Sequence, residues 1–216
     1  MVARYFKTGK GEYGEGDVFI GLTVPQVRMV AKKYRDLPLG EIEKLLHNKI
    51  HEYRLTALFI LMDQFRRADE AVRKTYYDFY LGNTKWINNW DLIDLSARDI
   101  IGGYLVNKPK ERRILYRLAK SKSVWERRIA IIATSAFINK KDFRDTLAIA
   151  KILLKDKHDL IHKASGWMLR EAGKKDEKVL VAFLNKHYRT MPRTMLRYAI
   201  EKFDDKRRRA YLTSAI

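Results

Sequence analysis

The sequence predicts an all-α fold built from repeated antiparallel helix pairs, and three observations carry that prediction. Apolar residues recur at three- and four-residue spacing, as at Leu55, Leu58, Phe59 and Met62 or at Leu147, Ala150 and Leu154, the period that gathers side chains on one helical face. The four prolines, at positions 25, 38, 109 and 192, each stand where proline opens a helix rather than breaks one, and no stretch shows the strict alternation of a half-buried strand. The third observation is a motif that returns every few tens of residues.

Taken in order, a helix over 23–35 opens on Pro25 and a second over 38–47 opens on Pro38. The stripe through Leu55 and Met62 makes a third over 51–66, and a polar break precedes a fourth over 69–81. Helices follow over 88–102, 109–119, 124–138, 142–154, 158–172, 175–186, 192–202 and 205–213, with ends fixed to within ~2 to 4 residues. The short connections make neighbours antiparallel.

Every second helix opens on a related pattern: His51-Glu52-Tyr53-Arg54, Asn89-Trp90-Asp91-Leu92, Trp125-Glu126-Arg127-Arg128, Ile161-His162-Lys163-Ala164 and Met195-Leu196-Arg197-Tyr198. Anchored on Arg54, Asp91, Arg128, Lys163 and Arg197, the offsets are 37, 37, 35 and 34 residues. That spacing belongs to HEAT-like repeats, whose helix pairs bury their apolar faces only by stacking. The expectation is one domain over 1–216, a Gly-rich segment at 1–22 followed by a right-handed α-solenoid of HEAT-like antiparallel pairs. One helix of each pair would line a concave face, and four of its five anchors are basic.

Forty-five Lys and Arg against 26 Asp and Glu give a formal charge of +19, a field that attracts polyanions. The basic residues are spread over most predicted helices, a pattern suited to nucleic acid better than to a membrane surface. The sequence has no cysteine, which excludes a disulfide scaffold, a thiolate zinc site and a cysteine nucleophile. The charged N-terminus has no secretory apolar core, and no stretch has the ~18 uninterrupted apolar residues of a membrane helix. A cytoplasmic monomer, bound to no membrane and using no cofactor or metal, is expected.

Three motifs bear on chemistry. The segment Gly9-Lys10-Gly11-Glu12-Tyr13-Gly14-Glu15-Gly16-Asp17 reads as a loop, since it has neither the Gly-Lys-Ser/Thr ending nor the strand setting of a nucleotide loop. His47 with His51, and His158 with His162, have four-residue spacing but no third ligand beside them. Trp90 and Asp94 stand one helical turn apart, so an indole and a carboxylate share a face. Within a basic groove a carboxylate repels DNA phosphate, which suits catalysis better than binding; helix capping or an ion pair with a neighbouring arginine is the alternative reading.

Tyr5 in Ala3-Arg4-Tyr5-Phe6-Lys7, Trp90-Asp91 with Asp94, Trp125 with Arg128, and Lys163-Ala164 with Gly166-Trp167 and Leu169-Arg170-Glu171 together resemble the HEAT-like DNA alkylation-repair glycosylases over nearly the whole chain. The resemblance implies a monofunctional enzyme that removes cationic N3- and N7-alkylpurines from double-stranded DNA without metal or organic cofactor. It makes Asp94 the catalytic carboxylate, Trp90 and Trp167 the cleft tryptophans, Arg128 the phosphate-binding arginine and Tyr5 an aromatic beside the cleft. Arg54, Lys163, Arg170 and Arg197 complete the expected DNA-binding set. Trp86 and Trp125 are assigned to packing.

The chemistry suits these residues. An alkylated purine carries positive charge and leaves readily, so what remains is to stabilise an oxocarbenium-like sugar and to position water, both within a carboxylate's reach. Indole faces stabilise positive charge, and a guanidinium clamps phosphate. Two non-enzymatic readings stay open: a HEAT-like module that binds DNA or RNA without chemistry, and a protein-interaction scaffold.

Overall fold

The computed structural model describes residues 6–213, and among them the chain is helical apart from one isolated bridge between Val18 and Ile50. It divides into two compact units, 1–104 and 105–216.

In the first unit, α1 (Val24–Lys33), α2 (Leu39–Leu46), α3 (His51–Arg67), α4 (Glu70–Gly82) and α5 (Trp90–Ala97) follow the predicted order. α3 is the axis of the unit: α1, α2, α4 and α5 all pack on it, and Leu55, Leu58, Phe59, Ile60, Leu61 and Met62 are buried around most of its circumference. A helix enclosed on this many sides keeps apolar residues beyond one stripe. Asp69 caps α4 by accepting from the Val72 N–H at 2.9 Å. After α5 the chain runs through a π-helical turn, Arg98–Gly102, where the sequence predicts continuous α-helix. The 3-10 turn Thr84–Trp86 also has no sequence signal.

The second unit holds α6 (Arg113–Leu118), α7 (Val124–Ala133), α8 (Ser135–Ile138), α9 (Arg144–Ile152), α10 (Asp159–Lys175), α11 (Glu177–His187), α12 (Arg193–Ala199) and α13 (Asp205–Thr213). Here α10 is the axis, packed by α7, α9, α11 and α12. Its Gly166 lets α12 approach closely: a Cβ there would lie 2.4 Å from the Met195 carbonyl oxygen and 2.5 Å from the Tyr198 Cβ. The helix expected over 124–138 is broken at Thr134, whose hydroxyl donates to the Ile131 carbonyl at 2.7 Å and competes with the helix's own ladder. Between α8 and α9, Lys141 turns the chain at φ 58°, a conformation glycine adopts at lower cost.

Candidate functional site

The first unit arranges its candidate residues from the N-terminal segment inward. Gly14 donates to the Lys7 carbonyl at 2.8 Å, closing the Gly-rich stretch into turns that deliver Asp17 to the interior. Asp17 accepts from Arg54 NH2 at 2.6 Å and from Asn89 Nδ2 at 2.8 Å, with His51 Nδ1 3.5 Å away. On its other side His51 Nε2 meets Asp91 Oδ2 at 2.7 Å. Burial pushes the His51 pKa down, but the hydrogen bonds with Asp17 and Asp91 outweigh it and the net shift is upward. Burial likewise raises Asp17, and bonds from His51, Arg54 and Asn89 reverse the sign and hold it below the usual carboxylate value.

These side chains fix the start of α5, the helix that carries Trp90 and Asp94. Asn89 caps it, accepting from the Trp90 N–H at 2.8 Å, and Asp91 Oδ1 accepts from the Leu92 N–H at 2.8 Å. The Trp90 indole stacks on Phe6 at 5.2 Å, and Phe6 stacks on Phe19 at 4.7 Å. Trp90 and Asp94 are both half-buried. Tyr80 of α4 is wholly buried and hydrogen-bonds Ser96 of α5 at 2.9 Å; burial, with the nearby Asp94 charge, pushes its phenol pKa up. A separate tie comes from Glu52, whose carboxylate accepts from the backbone N–H groups of Ile20, Gly21 and Leu22 at 2.8 to 3.3 Å.

The second unit carries Arg128, Lys163, Trp167, Arg170 and Arg197. Arg128 on α7 is buried, and its NH1 donates to the Leu160 carbonyl at the start of α10. One turn beyond Lys163, which pairs with Asp159 at 2.8 Å, Gly166 fixes the close packing and half-buried Trp167 follows it. The indole Nε1 donates to Glu171 at 3.2 Å, and Glu171 also receives Arg170 Nε at 3.3 Å and Lys174 Nζ at 2.8 Å. Arg170 reaches Glu201 as well. Arg197 is exposed on α12.

Some sequence expectations meet different surroundings. Arg54, expected on a DNA-lining stripe, is 3% exposed and committed to Asp17, so its guanidinium serves the interior of the first unit. Arg128, expected to bind phosphate, is 5% exposed and ties α7 to the start of α10. Tyr5 lies outside the described residues. His47 and His51 part company: His47 stacks on Trp86 at 4.8 Å and bonds Asn83 at 2.6 Å, while His51 faces Asp91. Among the described residues no group of three or more His, Cys, Asp or Glu is arranged to hold a metal ion, and no helix is long and apolar enough to cross a membrane. Sequence reasoning passed over Asp17, His51, Asn89 and Glu171, the side chains that hold the indoles and the helix bearing Asp94; only Asn89, as a cap residue before an apolar run, carried a readable signal.

Comparisons with known proteins bear on the chain as a whole. The profile of the DNA alkylation repair enzyme family matches residues 1–203. The chain belongs to that family. Membership makes DNA alkylation repair its field and DNA its substrate. Among solved structures it is similar to a predicted DNA alkylation repair enzyme from Enterococcus faecalis, with a TM-score of 0.73 and 16% identity over 94% of this chain and 93% of that one. At that identity the likeness shows a shared fold, and it agrees with the α-solenoid class predicted from the repeat. No curated protein matches the chain.

Proposed function

We propose that this DNA alkylation repair enzyme is a monofunctional glycosylase that frees cationic N3- and N7-alkylpurines from duplex DNA. The observation that carries the proposal is the pairing of Trp90 with Asp94 one turn apart on α5, a helix whose first residues are held by four buried side chains. A fixed carboxylate beside an indole face is what a developing oxocarbenium sugar requires, because an electrostatic stabiliser that is already oriented costs no reorganisation as the bond breaks. Asp94 would stabilise the sugar and orient water and Trp90 would lend its face to the positive charge; the family resemblance gives Trp167, on the second unit, the same kind of role. Trp167 is restrained for that role by its bond to Glu171. Lys163, Arg170 and Arg197 would meet backbone phosphate, and Arg128 would hold the first turn of α10, the helix that carries two of them.

The test is release of 7-methylguanine and 3-methyladenine from methylated duplex DNA by the parent and by Asp94→Asn at matched DNA affinity. Release by the parent alone supports the assignment. If both proteins bind and neither frees a base, the chain is a DNA-binding helical-repeat protein for these lesions and the proposal fails.

A further inference from the structure

His51 lies inside the first unit, and three separate routes run from it to the start of α5. The first is direct: Nε2 bonds Asp91, and Asp91 caps the Leu92 N–H. The second passes through Asp17, which lies 3.5 Å from His51 Nδ1 and holds Asn89, the cap of the Trp90 N–H. The third is aromatic: the imidazole stacks on Phe19 at 4.6 Å and lies 5.0 Å from Phe6, the ring that carries the Trp90 indole.

We propose that His51 is a positioning residue whose protonated form sets the Trp90 indole, so that the geometry of the α5 site responds to pH. This rests on the reading of Trp90 as a site residue. The groups facing the imidazole from the elements around it are Asp17 of the N-terminal segment, Asp91 of α5, and Arg54 on its own helix, whose NH2 lies 3.4 Å from Nδ1. Glu52 is turned to the backbone of Ile20 to Leu22. An imidazolium between two carboxylates has both N–H groups directed at acceptors and presents a cation to two phenyl faces. Loss of the proton leaves one N–H for Asp91, ends the attraction of Nδ1 to Asp17 and lets Nδ1 accept from Arg54 Nη2 at 3.4 Å instead, and removes the imidazolium charge that faces Asp91. Outweighing burial, the hydrogen bonds with Asp17 and Asp91 place this change above the ordinary value of 6.5.

The experiment follows the Trp90 indole N–H resonance, assigned by its loss in Trp90→Phe, across pH 5 to 9 in the full chain. The expected result is a single inflection above pH 6.5 with the midpoint of the His51 ring protons, absent in His51→Gln, whose amide can still donate to Asp91, and present in His47→Gln, whose imidazole serves Trp86. A Trp90 resonance that does not titrate in the parent overturns the proposal. So does an inflection that survives His51→Gln, or one whose midpoint matches no histidine, a comparison that needs only the parent should His51→Gln not fold. Base release measured over the same range should fall through the same midpoint by several-fold in kcat while KM for DNA holds. Titration of Trp90 without any base release would sustain the positioning role and refute the glycosylase assignment.

Discussion

Replacing Gly166 by alanine places a methyl carbon where the structure has no room for it. The new Cβ would lie 2.4 Å from the Met195 carbonyl oxygen, roughly 0.9 Å short of a ~3.3 Å carbon–oxygen contact. Its second neighbour, the Tyr198 Cβ at 2.5 Å, is equally rigid, being one bond from backbone. Neither can rotate away, so α12 must move off α10. Overpacking of this kind costs about 1 to 3 kcal/mol, and a separation shared by two helices belongs at the upper end. Alanine returns about 1 kcal/mol of helix propensity, leaving a net loss of about 2 kcal/mol. In a chain of 216 residues that corresponds to a fall in Tm of about 4 to 8 °C. Urea denaturation followed by circular dichroism would read it as a lower midpoint at unchanged slope. Because Trp167 is the next residue, the native indole emission should shift as well. A Gly166→Ala protein as stable as the parent would refute the close-packing argument and leave helix propensity as the only effect of that glycine.

Further outcomes follow from the same structure. Asp94→Asn should lose base release by about 10²- to 10³-fold at unchanged DNA affinity, the scale of removing one transition-state electrostatic partner, as single-turnover assays would show. Arg112→Met strips the cation from a buried cluster in which NH1 meets Asp145 at 2.8 Å and Asp142 beside it, and should cost about 3 to 5 kcal/mol by equilibrium unfolding. Arg197→Ala, at an exposed position, should lower the salt slope of DNA binding by about 1, whereas Arg54→Gln, at a buried one, should leave that slope alone and destabilise the fold. The stability difference between parent and His51→Gln should be full below pH 6.5 and disappear as pH rises through the raised His51 pKa, because the stabilising form is the protonated one. Asp17 works in the other direction: its contribution is full above pH 3.8 and is lost as pH falls through its lowered pKa, which thermal melts of Asp17→Asn across pH 2 to 9 would separate.

The helices were legible because their signal is local. Periodicity through Leu55 to Met62 and the proline and cap positions located α1 to α4 to within a residue or two of where they stand. The break at Thr134 escaped because it arises from a backbone competition that apolar spacing does not encode, and the π-turn after Ala97 keeps the apolar spacing of a continuous helix. The placement of Trp90 and Asp94 one turn apart on a single helix was readable. The fate of Arg54 was not: the same residue type at the same repeat position would line a groove or pair inward depending on a carboxylate 37 positions earlier, Asp17, delivered by a loop with no periodic signal. Burial of that pair is a tertiary event. Asn89 and His51 belong to the same class, since each gains its role from Asp17 and Asp91 meeting in space.

The pairing of interior acids with interior bases has an electrical consequence for the whole chain. Asp17 and Asp91 close on Arg54 and His51, Asp145 closes on Arg112, and Asp156 closes on Arg127 at 2.6 Å, so the charges taken out of water nearly cancel among themselves. The excess of +19 is therefore carried almost entirely by side chains that face solvent. Such a protein behaves as a neutral body wearing a cationic coat: ionic strength can raise or lower its grip on a polyanion over orders of magnitude while the core, insulated from the counterion atmosphere, keeps its shape.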